Sequence, residues 1–328
     1  MIVNIANRYG RIGGTMVSAI VGVNPWETPH SAYLKLRREV SPEPDNAAMA
    51  CGRRYENVVA QMYQAAHPDV LVSTDERNTG QIAVVTDPEH DFLVAHPDRY
   101  LLNPDTYTLE SGLEIKTANV CTIQDWGDEG TDHVPTHYLV QCQWYAGLCN
   151  VNEWRLATAF LDDDHKVRSY REYVIRPDRD LYEKLREMAI AFWENHVLPG
   201  VEPEIQSVDR TTERWIRERF PRNVRPLEQA TSEEEVLIEN YLSAREAAHQ
   251  AERYLEQTET AIKLAIGDRD GMFSDMYGKV TWKRSKDREV VDWKSVAEEF
   301  SPSDEQVKKH TKTVAGTRRF CTKGLKYE

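Results

Sequence analysis

Apolar residues recur along this chain with a period that switches between helical and extended spacing, and the switches mark out its elements. Residues 12–38, IGGTMVSAIVGVNPWETPHSAYLKLRR, read as turn, helix, turn and helix, with Asn24-Pro25 and Thr28-Pro29 as the breaks. Residues 47–66 place Met49, Val58, Val59, Met62 and Ala66 at mixed spacings of three and four, which predicts a helix carrying Glu56. Short runs rich in Val, Ile, Leu and Tyr follow at 70–76, 80–87, 91–102 and 106–118, and these predict strands. Asn103-Pro104-Asp105 supplies a hairpin turn between the last two. Pro135 near the start and Gly147 and Asn150 near the end bound a helix over 135–150, on which Gln141 and Tyr145 share a face. Two strands at 153–161 and 171–176 then lead into an amphipathic helix at 180–198. The order of helix, three or four strands, helix, two strands and helix predicts an α/β (α+β) core over residues 1–205.

Residues 206–230 are charged and read as an irregular linker to an extension over 231–328. There Leu237, Tyr241, Ala244, Ala248, Ala251, Leu255, Thr258, Ile262 and Ala265 alternate spacings of four and three, a heptad seam sustained over about four heptads. Its alanines and Thr258 favour close packing on a neighbouring helix or the core over a free-standing coiled-coil dimer. A small β element at 276–285 and a basic tail at 308–328 complete the extension, and the tail suits a solvated end as well as a DNA contact.

Composition narrows the setting. No run approaches the 18 to 20 apolar residues of a bilayer span, and the first residues lack the basic-then-apolar layout of a secretion signal, so a cytoplasmic protein without a membrane partner is expected. The five cysteines, Cys51, Cys121, Cys142, Cys149 and Cys321, contain no CxxC pair and are expected to be reduced thiols. A net charge of −13 argues against coating of duplex DNA through phosphate neutralisation. It argues less against catalysis, because bound metal ions and a local basic track can meet nucleic acid on an acidic protein.

The chemistry concentrates in Asp98 and Glu114-Ile115-Lys116. Alternation along a strand puts Glu114 and Lys116 on one face and Leu113 and Ile115 on the other, toward the core. Asp98, Glu114 and the Ile115 carbonyl are hard oxygen donors suited to Mg²⁺, with Mn²⁺ as a substitute, and Glu56 is available for a second ion or a metal-bound water. Lys116 is placed to orient or deprotonate an attacking water or to stabilise charge. Phosphodiester hydrolysis needs these functions. The same pattern also describes a solvated Glu/Lys pair on a surface strand. Trp26, in the loop after Asn24-Pro25, suits either core packing or stacking on DNA bases.

Five ordered segments together resemble the YqaJ-type viral recombinases, which belong with lambda exonuclease in the PD-(D/E)xK nuclease superfamily: residues 11–36, GRRYE at 52–56, HPD at 96–98, LEIK at 113–116 and YLVQCQWYAGL at 138–148. The resemblance covers roughly residues 8–200. It implies a restriction-endonuclease-like core, with a central mixed sheet flanked by helices, and a helical C-terminal extension assigned to oligomer or partner contacts. It implies an exonuclease, dependent on Mg²⁺ and of two-ion type, that digests one strand of linear double-stranded DNA from 5′ to 3′. It further implies a ring-shaped homo-oligomer, a trimer or tetramer, and cooperation with a single-strand annealing protein. Asp98, Glu114 and Lys116 match the nuclease signature, Glu56 the acidic residue of the upstream helix, and Gln141 with Tyr145 a Gln-x-x-x-Tyr motif beside the active site. Arg8 and Thr15 match a 5′-phosphate-binding pair, and also suit capping or surface roles. His96 replaces a serine before the Pro-Asp, and TANVCTIQDW after Lys116 has no arginine for a further phosphate ligand, so a protonated His96 is the candidate substitute. Competing readings are an endonuclease or RecB-like single-strand nuclease of the same fold, and a non-catalytic DNA-binding protein.

Overall fold

The computed structural model describes residues 10–42, 45–73, 84–285, 290, 292, 295, 296, 299 and 303–312. Arg8, Cys321 and the tail beyond Lys312 lie outside the described residues. The chain divides into two units, Met1–Arg219 and Phe220–Glu328.

The first unit opens with two short helices, α1 (Gly14–Ile20) and α2 (Pro29–Leu36). A capping box between Thr28 and Ser31, with Pro29 at the first helical position, starts α2. Helix α3 (Ala47–Ala66) follows, its first turn closed by the Asn46 side chain, which accepts from the Met49 N–H. Strands β1 (Leu71–Val72), β4 (Arg99–Leu102), β5 (Leu109–Asn119), β6 (Trp154–Leu161) and β7 (Val167–Ile175) form one mixed sheet in the order β1-β4-β5-β6-β7. Only β5 and β6 run parallel, and α4 (Thr136–Leu148) lies on the connection between them. Helix α5 (Arg179–Phe192) continues through a π-helical turn at Trp193–Val197.

The extended run predicted at 91–102 divides in two, because Pro97 has no N–H to give to a ladder. β3 (Val94–Ala95) pairs with β2 (Val85–Thr86) in a separate two-stranded sheet, and Ile12 bridges to Leu93 beside it. Beyond Pro97 the chain joins the main sheet. The hairpin between β4 and β5 turns at Asn103, whose side-chain oxygen accepts from the N–H groups of Asp105 and Thr106. Its register sets Arg99 opposite Leu113, so Asp98 arrives beside the Glu114-Ile115 step.

Both faces of the sheet are covered. Leu113, Ile115, Ala157 and Ala159 pack against Val59, Ala60 and Tyr63 of α3, while Trp144, Trp154, Phe160 and Tyr173 fill the core on the other side. β5 is therefore a central strand whose middle, Ser111–Ile115, is buried on both faces, as in parallel α/β sheets.

Residues 206–230 are not irregular throughout, as their charge suggested. Residues Arg210–Arg219 form α6 and complete the first unit. Asp209 caps this helix, accepting from the Thr212 N–H at 2.8 Å, and its other carboxylate oxygen accepts from the Thr28 N–H and hydroxyl at 2.9 and 3.0 Å. His30 reaches the Thr212 hydroxyl at 3.2 Å and meets the Trp215 ring edge-on. The capping aspartate, the early Glu213 and the late Arg217 and Arg219 suit a helix, although few apolar residues announce it.

In the second unit α7 (Ser232–Ile266) begins at a Thr231–Glu234 capping box and ends at Gly267, whose φ of +62° needs no Cβ relief. A hairpin of β8 (Gly271–Ser274) and β9 (Gly278–Thr281) and the short α8 (Asp304–His310) follow. The heptad residues of α7 are open to solvent, with Leu237 67% and Leu255 65% exposed. Among the described residues no helix is long and apolar enough to cross a membrane.

Candidate active site

Asp98, Glu114, Lys116, Gln141 and Tyr145 converge where the N-terminal end of β4 meets the middle of β5 under α4. The alternation expected of β5 holds, with Leu113 and Ile115 in the α3-side core. Glu114 is not a solvated surface group, however. It is 1% exposed, because α4 closes over that face. Lys116 Nζ donates to Glu114 Oε1 at 2.5 Å, and Gln141 Nε2 donates to the same oxygen at 2.6 Å and to Tyr145 Oη at 3.2 Å. The Ile115 N–H donates to Asp98 Oδ2 at 2.7 Å. A strand residue points its N–H and C=O to the same edge, so the Ile115 carbonyl lies on the Asp98 side of β5.

Charge in this pocket is far from its aqueous balance. Burial, then the neighbouring Glu114 charge, pushes Asp98 up to about 8, against the pull of Lys116 and the Ile115 amide. Burial alone lowers Lys116, but Glu114 and Asp98 outweigh it and hold the ammonium protonated well above its ordinary range. Lys116 is therefore a fixed positive charge in this state and not a proton acceptor. His137 beside it is pushed down to about 4 by burial and by Lys116, which keeps its imidazole neutral at pH 7.

Glu56 sits apart from this contact network. Arg99 Nη1 donates to Glu56 Oε1 at 2.7 Å and also holds the Asn57 side chain and the Asp98 carbonyl. The Glu56 charge is still near enough to add to the upward push on Asp98. Among the described residues, no group of three or more His, Cys, Asp or Glu side chains is placed to hold a metal ion. The donors that do converge, Asp98, Glu114 and the Ile115 carbonyl, are all oxygen. They fit Mg²⁺, which is held by one or two carboxylates and completes its shell with water and substrate phosphate.

Around this centre, Trp26 stands 62% exposed in the α1–α2 loop, so it is not a core residue. Its ring meets His137 edge-on at 4.9 Å, His137 lies 3.9 Å from Tyr138, and Lys116 Nζ is 5.2 Å from the Tyr138 ring centre. Thr15 is exposed in the first turn of α1, and half-buried His96 lies next to Gly13. Arg8 falls outside the described residues.

The fold adds Tyr138, His137 and Arg99 to the site. Tyr138 shares a helix face with Gln141 and Tyr145 at spacings of three and four, which was the available signal. Arg99 follows Asp98 directly, but its pairing with α3 is a tertiary fact.

Gly14 is the spacer between α1 and this site. A Cβ there would stand 2.8 Å from Gln141 Cγ and 2.9 Å from the Tyr145 ring. Gly14→Ala is expected to displace Gln141 from Glu114 and to lower turnover in the hydrolysis proposed below about 10- to 100-fold, as ångström-scale misplacement does. Steady-state kinetics beside a thermal melt checks this, and unchanged kcat would remove Gln141 from the active arrangement.

Residues 5–152 match the profile of the YqaJ-like viral recombinase domain. The uncharacterized protein YqaJ of Bacillus subtilis (strain 168) is 26% identical over 310 residues, covering 94% of this chain and 90% of that protein. Among solved structures, the alkaline exonuclease LHK-Exo of Laribacter hongkongensis in complex with dAMP is 18% identical, covers 58% of this chain and 89% of its own, and has a TM-score of 0.44. A phage-related exonuclease from Haemophilus somnus 129PT is 14% identical, with coverages of 58% and 96% and a TM-score of 0.40. The residues matched by that profile, 5–152, include Asp98, Glu114, Lys116, Gln141 and Tyr145, so the site lies within the part of the chain that is similar to the YqaJ-like viral recombinase domain.

Proposed function

We propose that this protein is a metal-dependent nuclease that resects linear double-stranded DNA from 5′ to 3′, leaving 3′ overhangs for recombination. The observation that carries the reading is the set of contacts from the Ile115 N–H to Asp98 and from Lys116 and Gln141 to Glu114, with Glu114 and Gln141 buried and Asp98 and Lys116 half-buried. Asp98, Glu114 and the Ile115 carbonyl would hold Mg²⁺, which when bound supplies Lewis-acid stabilisation of phosphoryl charge and lowers the pKa of water. A second ion near Glu56 would require that carboxylate to leave Arg99.

The protein's own part is positional and electrostatic. Lys116, a fixed cation, neutralises charge that builds on the phosphoryl oxygens. Gln141 fixes the Glu114 carboxylate through one oxygen and is itself held by Tyr145. Trp26, with His137 and Tyr138 beneath it, offers an aromatic face on which a base can stack next to Lys116. Thr15 and Arg8 are assigned to the 5′-phosphate by resemblance to the family, with His96, which stands in place of a serine, as the substitute ligand; a single-strand annealing protein and a ring-shaped oligomer belong to the same reading by the same resemblance.

The assay is digestion of a 5′-phosphorylated linear duplex. With Mg²⁺, acid-soluble nucleotides and protected 3′ strands are expected, with none in EDTA and none from a covalently closed circle. Cleavage of the circle would turn the assignment to an endonuclease. End binding without release of nucleotides in either Mg²⁺ or Mn²⁺ would reduce the protein to a DNA-binding scaffold.

A further inference from the structure

Helix α7 runs for 35 residues, about 52 Å, with its heptad seam open to solvent. We propose that the neighbouring helix on which this alanine-rich seam packs closely is α7 of a second copy of this chain, paired antiparallel. Three features select that occupant and that direction.

The first is side-chain volume. When Ala248 faces the partner's Ala251, each large seam residue falls opposite a smaller or matched one: Leu255 against the partner's Ala244 and Tyr241 against the partner's Thr258. Leu237 and the partner's Ile262 close each end. A parallel pair would instead stack Tyr241 on the partner's Tyr241 and leave three successive all-alanine layers, so its interhelical gap would vary along the seam.

The second is extent. This register centres the pair between residues 249 and 250, within a residue of the middle of Ser232–Ile266, so the two helices overlap over their full length.

The third is charge. Arg245 and Glu252 occupy the same flank of the seam, and Arg245 lies along it over the Tyr241 ring at 5.9 Å. In the antiparallel register like flanks face each other, so Arg245 meets the partner's Glu252 and the pair repeats by symmetry. The opposite flank, Asn240, Ala247, Tyr254 and Ala261, carries no charge, so a parallel pair would set Arg245 against an uncharged partner flank. Antiparallel packing also sets the acidic first turn, Glu233 to Glu235, beside the partner's last turn, which bears Lys263.

The test uses the full-length chain. Protein carrying Leu237→Cys is mixed with protein carrying Ile262→Cys and mildly oxidised, and the disulfides are mapped by mass spectrometry. A 237–262 link is expected. In parallel, Arg245→Glu and Glu252→Arg are each expected to weaken self-association, followed by sedimentation, about tenfold, and the double variant to restore it. The two positions lie two helical turns apart within one chain, so only an interchain contact explains such rescue. A 237–237 link, absence of an interchain link in protein whose circular dichroism is unchanged, or reversals that do not alter association would each overturn the proposal, including the case where another protein covers the seam. Digestion of a short duplex by the same variants is expected to persist, so failure here leaves the nuclease reading intact.

Discussion

Replacing Lys116 by alanine is expected to lower kcat on linear duplex DNA by about 10²- to 10³-fold, the cost of removing one preorganised charge donor from a dry site. DNA affinity is expected to change far less, since the ammonium faces Glu114 and the pocket interior more than the bulk phosphate backbone. The reasoning begins with charge. Glu114 and Asp98 keep Lys116 protonated, so its loss removes the positive charge that faces both of them. It also leaves Glu114 buried without its counter-ion, which costs about 3–5 kcal/mol of stability when one partner of a buried pair is removed. A melt in EDTA therefore accompanies the kinetics. Lys116→Arg keeps the charge but brings a planar fork into a space built for an ammonium, and is expected to recover only part of the rate. Full activity in Lys116→Ala at a temperature where the variant is folded would remove this residue from the chemistry.

Asp98→Asn should behave in the opposite way for stability. It is expected to abolish cleavage and yet raise the melting temperature of the metal-free protein at pH 7.5. Asp98 is raised above its unfolded value to about 8, so the folded state binds its proton more tightly than the unfolded chain does. The stability contributed is fully present below the unfolded carboxylate pKa and is lost as pH rises through the folded value. Over that window each pH unit removes about 1.4 kcal/mol. The amide carries no charge and can still accept from the Ile115 N–H, so the variant escapes this loss. For a unit of this size about 1 kcal/mol corresponds to 2–4 °C. Melts in EDTA from pH 5 to pH 8 should show the wild type falling and the variant nearly flat. Mg²⁺ should lift the wild type most at the alkaline end and the variant least. Parallel curves for the two proteins would show that Asp98 does not carry the buried repulsion.

These two variants pull stability in different directions because the pocket is built for charge it does not balance by itself. Lys116 offsets one carboxylate, and the amide of Ile115 offers Asp98 a dipole where a cation fits better. That is the usual relation between stability and activity at a strained electrostatic site.

Much of the core was legible from residue order. The mixed three-and-four spacing of residues 47–66 coincides with α3, and Pro135 and Gly147 bound α4. Asn103-Pro104-Asp105 made the hairpin that brings Asp98 to Glu114, and strict alternation separated Glu114 and Lys116 from Leu113 and Ile115. These are local rules of period and turn chemistry, and they act between near neighbours in the chain. The sequence by itself thus determined which residues share a face and which carboxylates meet. Only the tertiary structure decided what that meeting means electrically. Glu114 is dry because α4 closes one face of β5 while α3 closes the other, Glu56 is drawn to Arg99, and α6 folds because Asp209 and Thr212 find Thr28 and His30 nearly two hundred residues away. Burial depends on what the rest of the chain places overhead, and the charge state of Asp98 and Lys116 follows from burial and from through-space distance, neither of which is written in the spacing of residues along one strand.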